Sequence, residues 1–305
     1  LNQLRIYIFF CVFLFFGAGS MAQNPYIRHY TTLDGLPTNT IYQMCQDSHK
    51  FLWFTSDAGV IKFDGSTFTS YRKKDGLSSN DVVRIKEDVQ GRIWFFNYNA
   101  TVNYFYQNKI YNDKNAPFLK LLVGKGYFLN FYTDTQKNIH FYNYQREVFT
   151  LDPNNKVSKN LLLENYKIPN IRGNEFDSRV CFLSKSPENK WIIWTNAGVY
   201  SQDMNNGKVQ ALDTNLMTRF VVPRQDNSYY AILFRSENSI IRISDNLKKE
   251  KIPFWGNVVA VKDILEDTDG YLWIAAFGEG VFCLKNNKLI RYFDIKNAHG
   301  LLQDH

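Results

Sequence analysis

The chain has 305 residues, of which 45% are hydrophobic and 21% charged. This composition excludes a disordered or collagen-like polypeptide and leaves ample material for a core. Its 25 Phe, 19 Tyr and 6 Trp stand against 8 Pro, and such side chains suit pleated, half-buried surfaces, so an all-β fold is expected. The net charge of +7 comes from Lys and Arg scattered singly or in pairs such as Lys73-Lys74, which describes a solvated basic surface and no nucleic-acid partner.

Residues 1–22 read as a signal peptide. Arg5 supplies the positive start, Ile6 to Phe16 an apolar run, and Ser20 and Ala22 the small residues of a cleavage site. That run is well short of the ~20 residues that span a bilayer. Export with cleavage between Ala22 and Gln23 is therefore predicted. Cys11 lies inside the apolar run without a Gly or Ala just before it, unlike a lipoprotein cysteine. The remaining Cys45, Cys181 and Cys283 are odd in number and sit in apolar strand-like contexts, so no disulfide framework organises the fold. The histidines are isolated from one another and from the cysteines, and neither a metal site nor a cofactor is expected.

From residue 23 onward one pattern recurs, an Asp followed six residues later by a large side chain. Asp47 leads to Trp53, Asp88 to Trp94, Asp134 to His140 and Asp267 to Trp273. Between them, Ser186–Lys190 turns into an apolar run with Ile193 as its anchor, and Gln225–Ser228 into one with Ile232. The six anchors Trp53, Trp94, His140, Ile193, Ile232 and Trp273 recur at about 40 to 45 residues, the period of a propeller blade. The second unit reads as strands 81–86, 92–96, 101–106 and 109–111, and Gln107-Asn108, Asp64-Gly65, Asn206-Gly207 and Asn286-Asn287 supply the hairpin turns. A four-stranded sheet cannot bury both faces alone, whereas radial packing of such sheets can. Each anchor is thus read as core between blades. The prediction over 23–305 is a β-propeller of four-stranded blades, six of them visible and a seventh permitted by length. His299–His305 is similar to Asp34–Thr40 and Asp75–Asp81, the lead-in to a blade, so the ring is expected to be truncated at the start of a further repeat. Asp267-Thr-Asp269-Gly270 lacks the later ligands of a calcium loop and reads as a turn.

The runs Thr32–Asn39, Phe51–Asp64 and Lys74–Asp81 resemble the two-component regulator propeller repeats in periplasmic sensor regions of Bacteroidetes-type histidine kinases. The similarity covers residues 28–110 and 257–301. It implies a non-enzymatic periplasmic sensor propeller, joined in a longer parent chain to a β-sandwich, a membrane helix and a kinase, with contact to the membrane only through that further region. A secreted protein-interaction scaffold and a propeller glycosidase or lyase are the alternatives, since fold alone does not decide chemistry.

In a four-stranded blade the turn between strands two and three shares one face of the ring with the start of strand one. The sequence places Asn97, Tyr98, Tyr142, Asn143, Tyr144 and Arg235 there. Tyrosines that stack and amides that hydrogen-bond would suit a polar periplasmic ligand, a glycan fragment being the family's example. Packing of the same tyrosines against a second propeller or a second copy of the sensor is the competing cause.

Overall fold

The structure, a computed structural model, describes residues 28–294 except 125, 127, 165, 167–178, 187, 225, 227, 234–238, 245, 255 and 257–260. The expected signal peptide at 1–22 and the expected lead-in at 299–305 lie outside the described residues.

Each repeat folds into one antiparallel sheet with its four strands side by side in chain order. Blade one holds β1 (Ile41–Gln46), β2 (Leu52–Ser56), β3 (Gly59–Phe63) and β4 (Phe68–Tyr71). Blade two holds β5 (Val82–Glu87), β6 (Ile93–Asn97), β7 (Val102–Tyr106) and β8 (Lys109–Tyr111). Blade three comprises β9 (Asn130–Thr133), β10 (Ile139–Tyr142), β11 (Glu147–Leu151) and β12 (Val157–Leu161), and blade four β13 (Val180–Lys185), β14 (Lys190–Thr195), β15 (Gly198–Asp203) and β16 (Val209–Asp213). Blade five is β17 (Thr218–Pro223), β18 (Tyr229–Leu233), β19 (Ile240–Ile243) and β20 (Lys249–Ile252); blade six is β21 (Val261–Glu266), β22 (Leu272–Ala276), β23 (Gly280–Lys285) and β24 (Lys288–Phe293). The fold is an all-β propeller of six four-stranded blades. Strand one of neighbouring blades approach each other, as β1 with β5 and β13 with β17, while outer strands such as β12, β16 and β24 are largely exposed. Five of the inner strands carry a bulge near their start, between Val82 and Arg84 in blade two for example, which adds local twist where the blades converge.

The recurrent Asp explains the repeat. In blade two, Asp88 Oδ1 accepts from the backbone N–H groups of Gln90 (2.8 Å) and Arg92 (3.0 Å), which closes the turn between strands one and two, while Oδ2 accepts from Trp94 Nε1 at 2.7 Å. Asp47 does the same for His49, Phe51 and Trp53, and Asp267 for Asp269, Tyr271 and Trp273, with indole bonds of 2.7 and 2.8 Å. In blade three, Asp134 holds the Asn138 N–H, and its Oδ2 lies 3.0 Å from His140 Nε2.

The anchors are the cement of the seams. Trp53 packs with Ile85 and Phe95 of blade two, Trp94 with Phe131 and Phe141 of blade three, and His140 meets the edge of Trp191 of blade four at 4.7 Å. In blades four and five the register corrects the sequence reading. The backbone bond Ser186 N–H to Lys190 O is the counterpart of Asp88 N–H to Arg92 O, which puts Ile192 in the Trp place. Ile193 therefore faces backward into the seam with blade three, because one residue along a strand reverses the face. By the same measure Arg224 takes the Asp place and Tyr230 the Trp place; Ile232 lies two residues on, on the same face. Arg224 replaces the carboxylate clasp by stacking its guanidinium 5.0 Å over Tyr230 and bonding Glu266 of blade six at 2.6 and 2.8 Å. Blade four has no such substitute: Trp194, one turn of the pleat beyond Ile192, buries its Nε1 without an acceptor among the described residues.

Five apolar clusters span the seams from blades one–two to blades five–six. Among the described residues, none joins blade six to blade one.

Trp94→Ala is expected to lower stability by about 3 to 5 kcal/mol, read from the urea midpoint at unchanged slope. Trp273, partly exposed at the open side of blade six, should cost clearly less in the same measurement. A second expectation concerns His140. Burial, opposed by Asp134, holds its imidazole below the ordinary 6.5, and the Lys185 charge acts in the same direction as burial. Its folded-state value being depressed, the stability it contributes is complete above the unfolded value and is lost as pH falls below it. The urea midpoint of the wild type should fall more between about pH 7.5 and 5.5 than that of His140→Gln, which keeps an N–H for Asp134 but does not titrate.

Candidate functional site

The ninth residue after the Asp place closes strand two in every blade. It is the strand's last residue at Ser56, Asn97, Thr195, Leu233 and Ala276, and in blade three it is Asn143, just beyond Tyr142 at the end of β10. These residues close the turn. Ser56 and Thr195 donate their hydroxyls to Gly59 O (2.9 Å) and Gly198 O (2.8 Å). Asn97 is fully buried and donates Nδ2–H to Thr101 Oγ1 (2.8 Å) and Asn103 Oδ1 (2.9 Å), and Asn103 in turn donates to Ser78 Oγ at 2.8 Å. Asn143, also fully buried, donates to Glu147 Oε2 at 2.6 Å and accepts from the Glu147 N–H at 3.1 Å, while Lys159 neutralises Glu147 at 2.6 Å. The two asparagines are thus buried and bonded within the fold, with Asn97 Oδ1 left without a partner among the described residues.

Tyr142 is corrected in the same way. It is the last residue of β10 and buried in the seam with blade four, where burial pushes its phenol well above the ordinary range. Arg235 lies outside the described residues.

The next position along is different. The first turn residue is Asp57, Tyr98, Tyr144, Asn196 and Phe277 in blades one, two, three, four and six. Tyr98 is 66% exposed and Phe277 57%; Tyr144 is half-buried with the Arg179 guanidinium 5.9 Å over its ring, and Lys262 stands 5.4 Å over Phe277. Backbone bonds fix these turns against the start of strand one, as Tyr98 N–H to Asp81 O at 3.1 Å and Asn196 N–H to Arg179 O at 3.3 Å, and the side-chain Oδ1 of Asn196 accepts from the Arg179 N–H at 2.8 Å. Tyr42 stands on the same end of β1, and burial, then the carboxylates of Asp81 and Asp57, raise its phenol. Asp57 and Asp81 stand on blades one and two at this face, and Arg179 and Lys262 on blades four and six. Near the centre, burial raises the Asp263 carboxyl, an effect opposed by its bond from the Ile264 N–H and by the charge of Arg84 on blade two. Sequence reasoning found Tyr98 and Tyr144 but missed Phe277, Tyr42 and the cations. The signal available was the ninth and tenth residues after each Asp, tabulated across blades.

No group of three His, Cys, Asp or Glu among the described residues is placed to hold a metal ion, and no helix among them is long and apolar enough to cross a membrane. Residues 35–58 match the two component regulator propeller repeat. This stretch runs from the Gly35-Leu36 lead-in through β1 and β2 and contains both Asp47 and Trp53. No protein of curated function matches the sequence. Among solved structures, the chain is similar to the extracellular domain of the hybrid two component system BT3049 from B. thetaiotaomicron, at 18% identity and a TM-score of 0.64, over 92% of this chain and 38% of that one. It therefore spans under two fifths of that relative. It is also similar to virginiamycin B lyase from Staphylococcus aureus, at 14% identity and TM-score 0.61 over 88% and 87% of the two chains, and to PorZ, a surface component of the type-IX secretion system of Porphyromonas gingivalis, at 14% and 0.60 over 91% and 44%. At these identities the likeness establishes the fold.

Because Asn97 ties its turn to Ser78 through Asn103 while Tyr98 is exposed, their substitutions should separate. Asn97→Ala is expected to lower stability by about 1 to 3 kcal/mol by orphaning buried partners, whereas Tyr98→Ala should leave the urea midpoint nearly unchanged.

Proposed function

We propose that this chain is the ligand-binding sensor propeller of an exported two-component sensor. It takes a polar ligand, a glycan fragment among the candidates, on the face of the strand two to three turns and passes the signal to a kinase elsewhere in a longer parent protein. The observation that carries this reading is the placement of Tyr98, Tyr144 and Phe277 at one repeated turn position, the last two each beside a cation. A tight turn has no need of an aromatic residue, and the rings of Tyr98 and Phe277 are largely exposed. Rings of this kind stack on the apolar faces of sugars, and adjacent cations and amides select polar substituents. The likeness to extracellular domains of two component systems supports the same reading.

The lyase fold relatives favour no enzymatic reading here. One of them is described as a catalytically inactive histidine variant, whereas the strand two to three turns of this chain carry no histidine in the sequence, and His140 is enclosed between Asp134 and Thr150.

Calorimetric titration with a panel of neutral and acidic oligosaccharides tests the proposal. The wild type is expected to bind at least one, and the double variant Tyr98→Ala/Tyr144→Ala to lose at least about ten-fold in affinity at an unchanged urea midpoint. Full affinity together with a large loss of stability would make the tyrosines packing residues. A wild type that binds nothing on the panel would remove glycans as the ligand class.

A further inference from the structure

The turn after strand two of blade three brings three reactive groups together. Asn143 Nδ2 donates to Glu147 Oε2 at 2.6 Å, and Lys159 Nζ lies 2.6 Å from the other oxygen of the same carboxylate. One Glu147 side chain therefore holds an amide and an amine at once. Strand parity puts all three on one face: Lys159 pairs with Phe149, two residues beyond Glu147, and Phe149 packs into the seam with Trp94 of blade two. Asn143 and Glu147 are 0% and 1% exposed. Gly124, from the segment between blades two and three, closes over them, since a Cβ there would stand 2.8 Å from Asn143 Nδ2 and 2.9 Å from Glu147 Oε2. Lys159 Nζ stands 4.9 Å over the Phe149 ring, while half of its side chain remains open to water. Asn143 Oδ1 accepts from the Glu147 N–H at 3.1 Å. Its carbonyl is thus polarised in the sense that favours attack at Cγ.

We propose that Asn143 and Lys159 join spontaneously in an isopeptide cross-link, with Glu147 as the group that moves the protons. Made neutral by loss of a proton to Glu147, the Lys159 amine attacks Asn143 Cγ, and the charge that develops on Oδ1 is met by the Glu147 N–H. The Nζ–Cγ bond forms and the Cγ–Nδ2 bond breaks. Nζ gives up two protons in all, and Nδ2 leaves with them as ammonium toward the open side of Lys159. Nothing is oxidised or reduced, and charge balances because one ammonium replaces another. An amide is a poor acceptor, so the step depends on holding both groups on one carboxylate, away from water. Blade two supplies the contrast. Asn97 occupies the same place, but Thr101 stands where Glu147 does, and Asn97 donates to Thr101 Oγ1 and Asn103 Oδ1, neutral groups that do not carry a proton from amine to amide. Asn97 is therefore expected to remain a carboxamide. The cross-link ties the turn after β10 to the outer strand β12 across β11, and it is independent of the ligand proposed above.

Peptide mapping of the purified 305-residue chain by mass spectrometry reads the bond. Trypsin cleaves after Lys and Arg but not after a lysine acylated at Nζ. The expected product is residues 138–146 joined to residues 157–167, lighter than the two peptides together by one ammonia and uncut after Lys159. In wild type kept at neutral pH until the yield is constant, it should account for most of the peptide that contains Asn143. Lys159→Arg keeps the charge but offers no nucleophile, its guanidinium staying protonated. It should give only linear peptides and a lower melting temperature, since a cross-link restricts the unfolded chain. Asn143→Ser, which installs the residue of blade one at this place, should also stay linear. Glu147→Gln should reduce the cross-linked fraction by about ten-fold or more, with circular dichroism checking that each variant keeps its strands. Only linear peptides from the wild type after prolonged incubation would overturn the proposal, whatever the variants do. So would an ammonia loss that survives in Lys159→Arg within a single peptide, which would mark a succinimide at Asn143 or a cyclised amino-terminal glutamine. An undiminished cross-link in Glu147→Gln would overturn the part assigned to the carboxylate.

Discussion

One carboxylate with two tasks underlies this architecture. In blades one, two and six, one oxygen of the Asp gathers backbone N–H groups and closes the first hairpin, while the other holds the indole N–H of the residue six positions on. Local turn geometry and the contact between blades are thereby set by the same side chain. A large ring that is fixed at its polar edge presents its apolar face at one angle, and the neighbouring blade can be built to match it. Loss of the carboxylate would release the turn and the seam together.

The blades that lack the motif show how the arrangement is replaced. Blade three substitutes imidazole for indole and keeps the bond at the cost of a titratable group. Blade five inverts the chemistry, with Arg224 lying over Tyr230 and reaching Glu266 in the next blade. Blade four gives up the bond. Ser186 stands where the Asp would be, Ile192 where the Trp would be, and the indole of Trp194 is displaced by two residues, so that both Ser186 Oγ and Trp194 Nε1 are buried without partners among the described residues. An orphaned buried donor costs about 1 to 3 kcal/mol, and the seam between blades four and five is held, besides its apolar packing, by the Thr218 hydroxyl donating to Thr195 O (3.2 Å), the Cys181 thiol donating to Thr218 O (3.1 Å) and the Lys249–Asp213 ion pair (2.8 Å).

The number of blades, their strand order and the role of Trp53, Trp94 and Trp273 were legible in the sequence because the Asp, the turn and the Trp recur in fixed register. Legibility failed where the Asp is absent. Ile193 and Ile232 look like anchors by apolarity, but register is counted from the hairpin closure, and in a strand an error of one residue exchanges front for back. The same parity explains the site. Tyr142 belongs to the strand by its distance from Asp134, and Asn97 and Asn143 take the place of the turn-closing Ser56 and Thr195, so among the described members of the expected constellation only Tyr98 and Tyr144 reach solvent as side chains. A polar residue beside a turn in a sequence reads as surface whether its partners are water or the turn itself.

The unequal seams also fix the order of the blades. In a ring of identical joints any blade could stand in any place. Here the anchors of blades one and two are each held by an Asp of their own blade, Arg224 of blade five reaches Glu266 of blade six, and Asp213 of blade four pairs with Lys249 of blade five. A blade moved to another place would leave a charged or buried polar group without its match, so the sectors of this ring are not interchangeable.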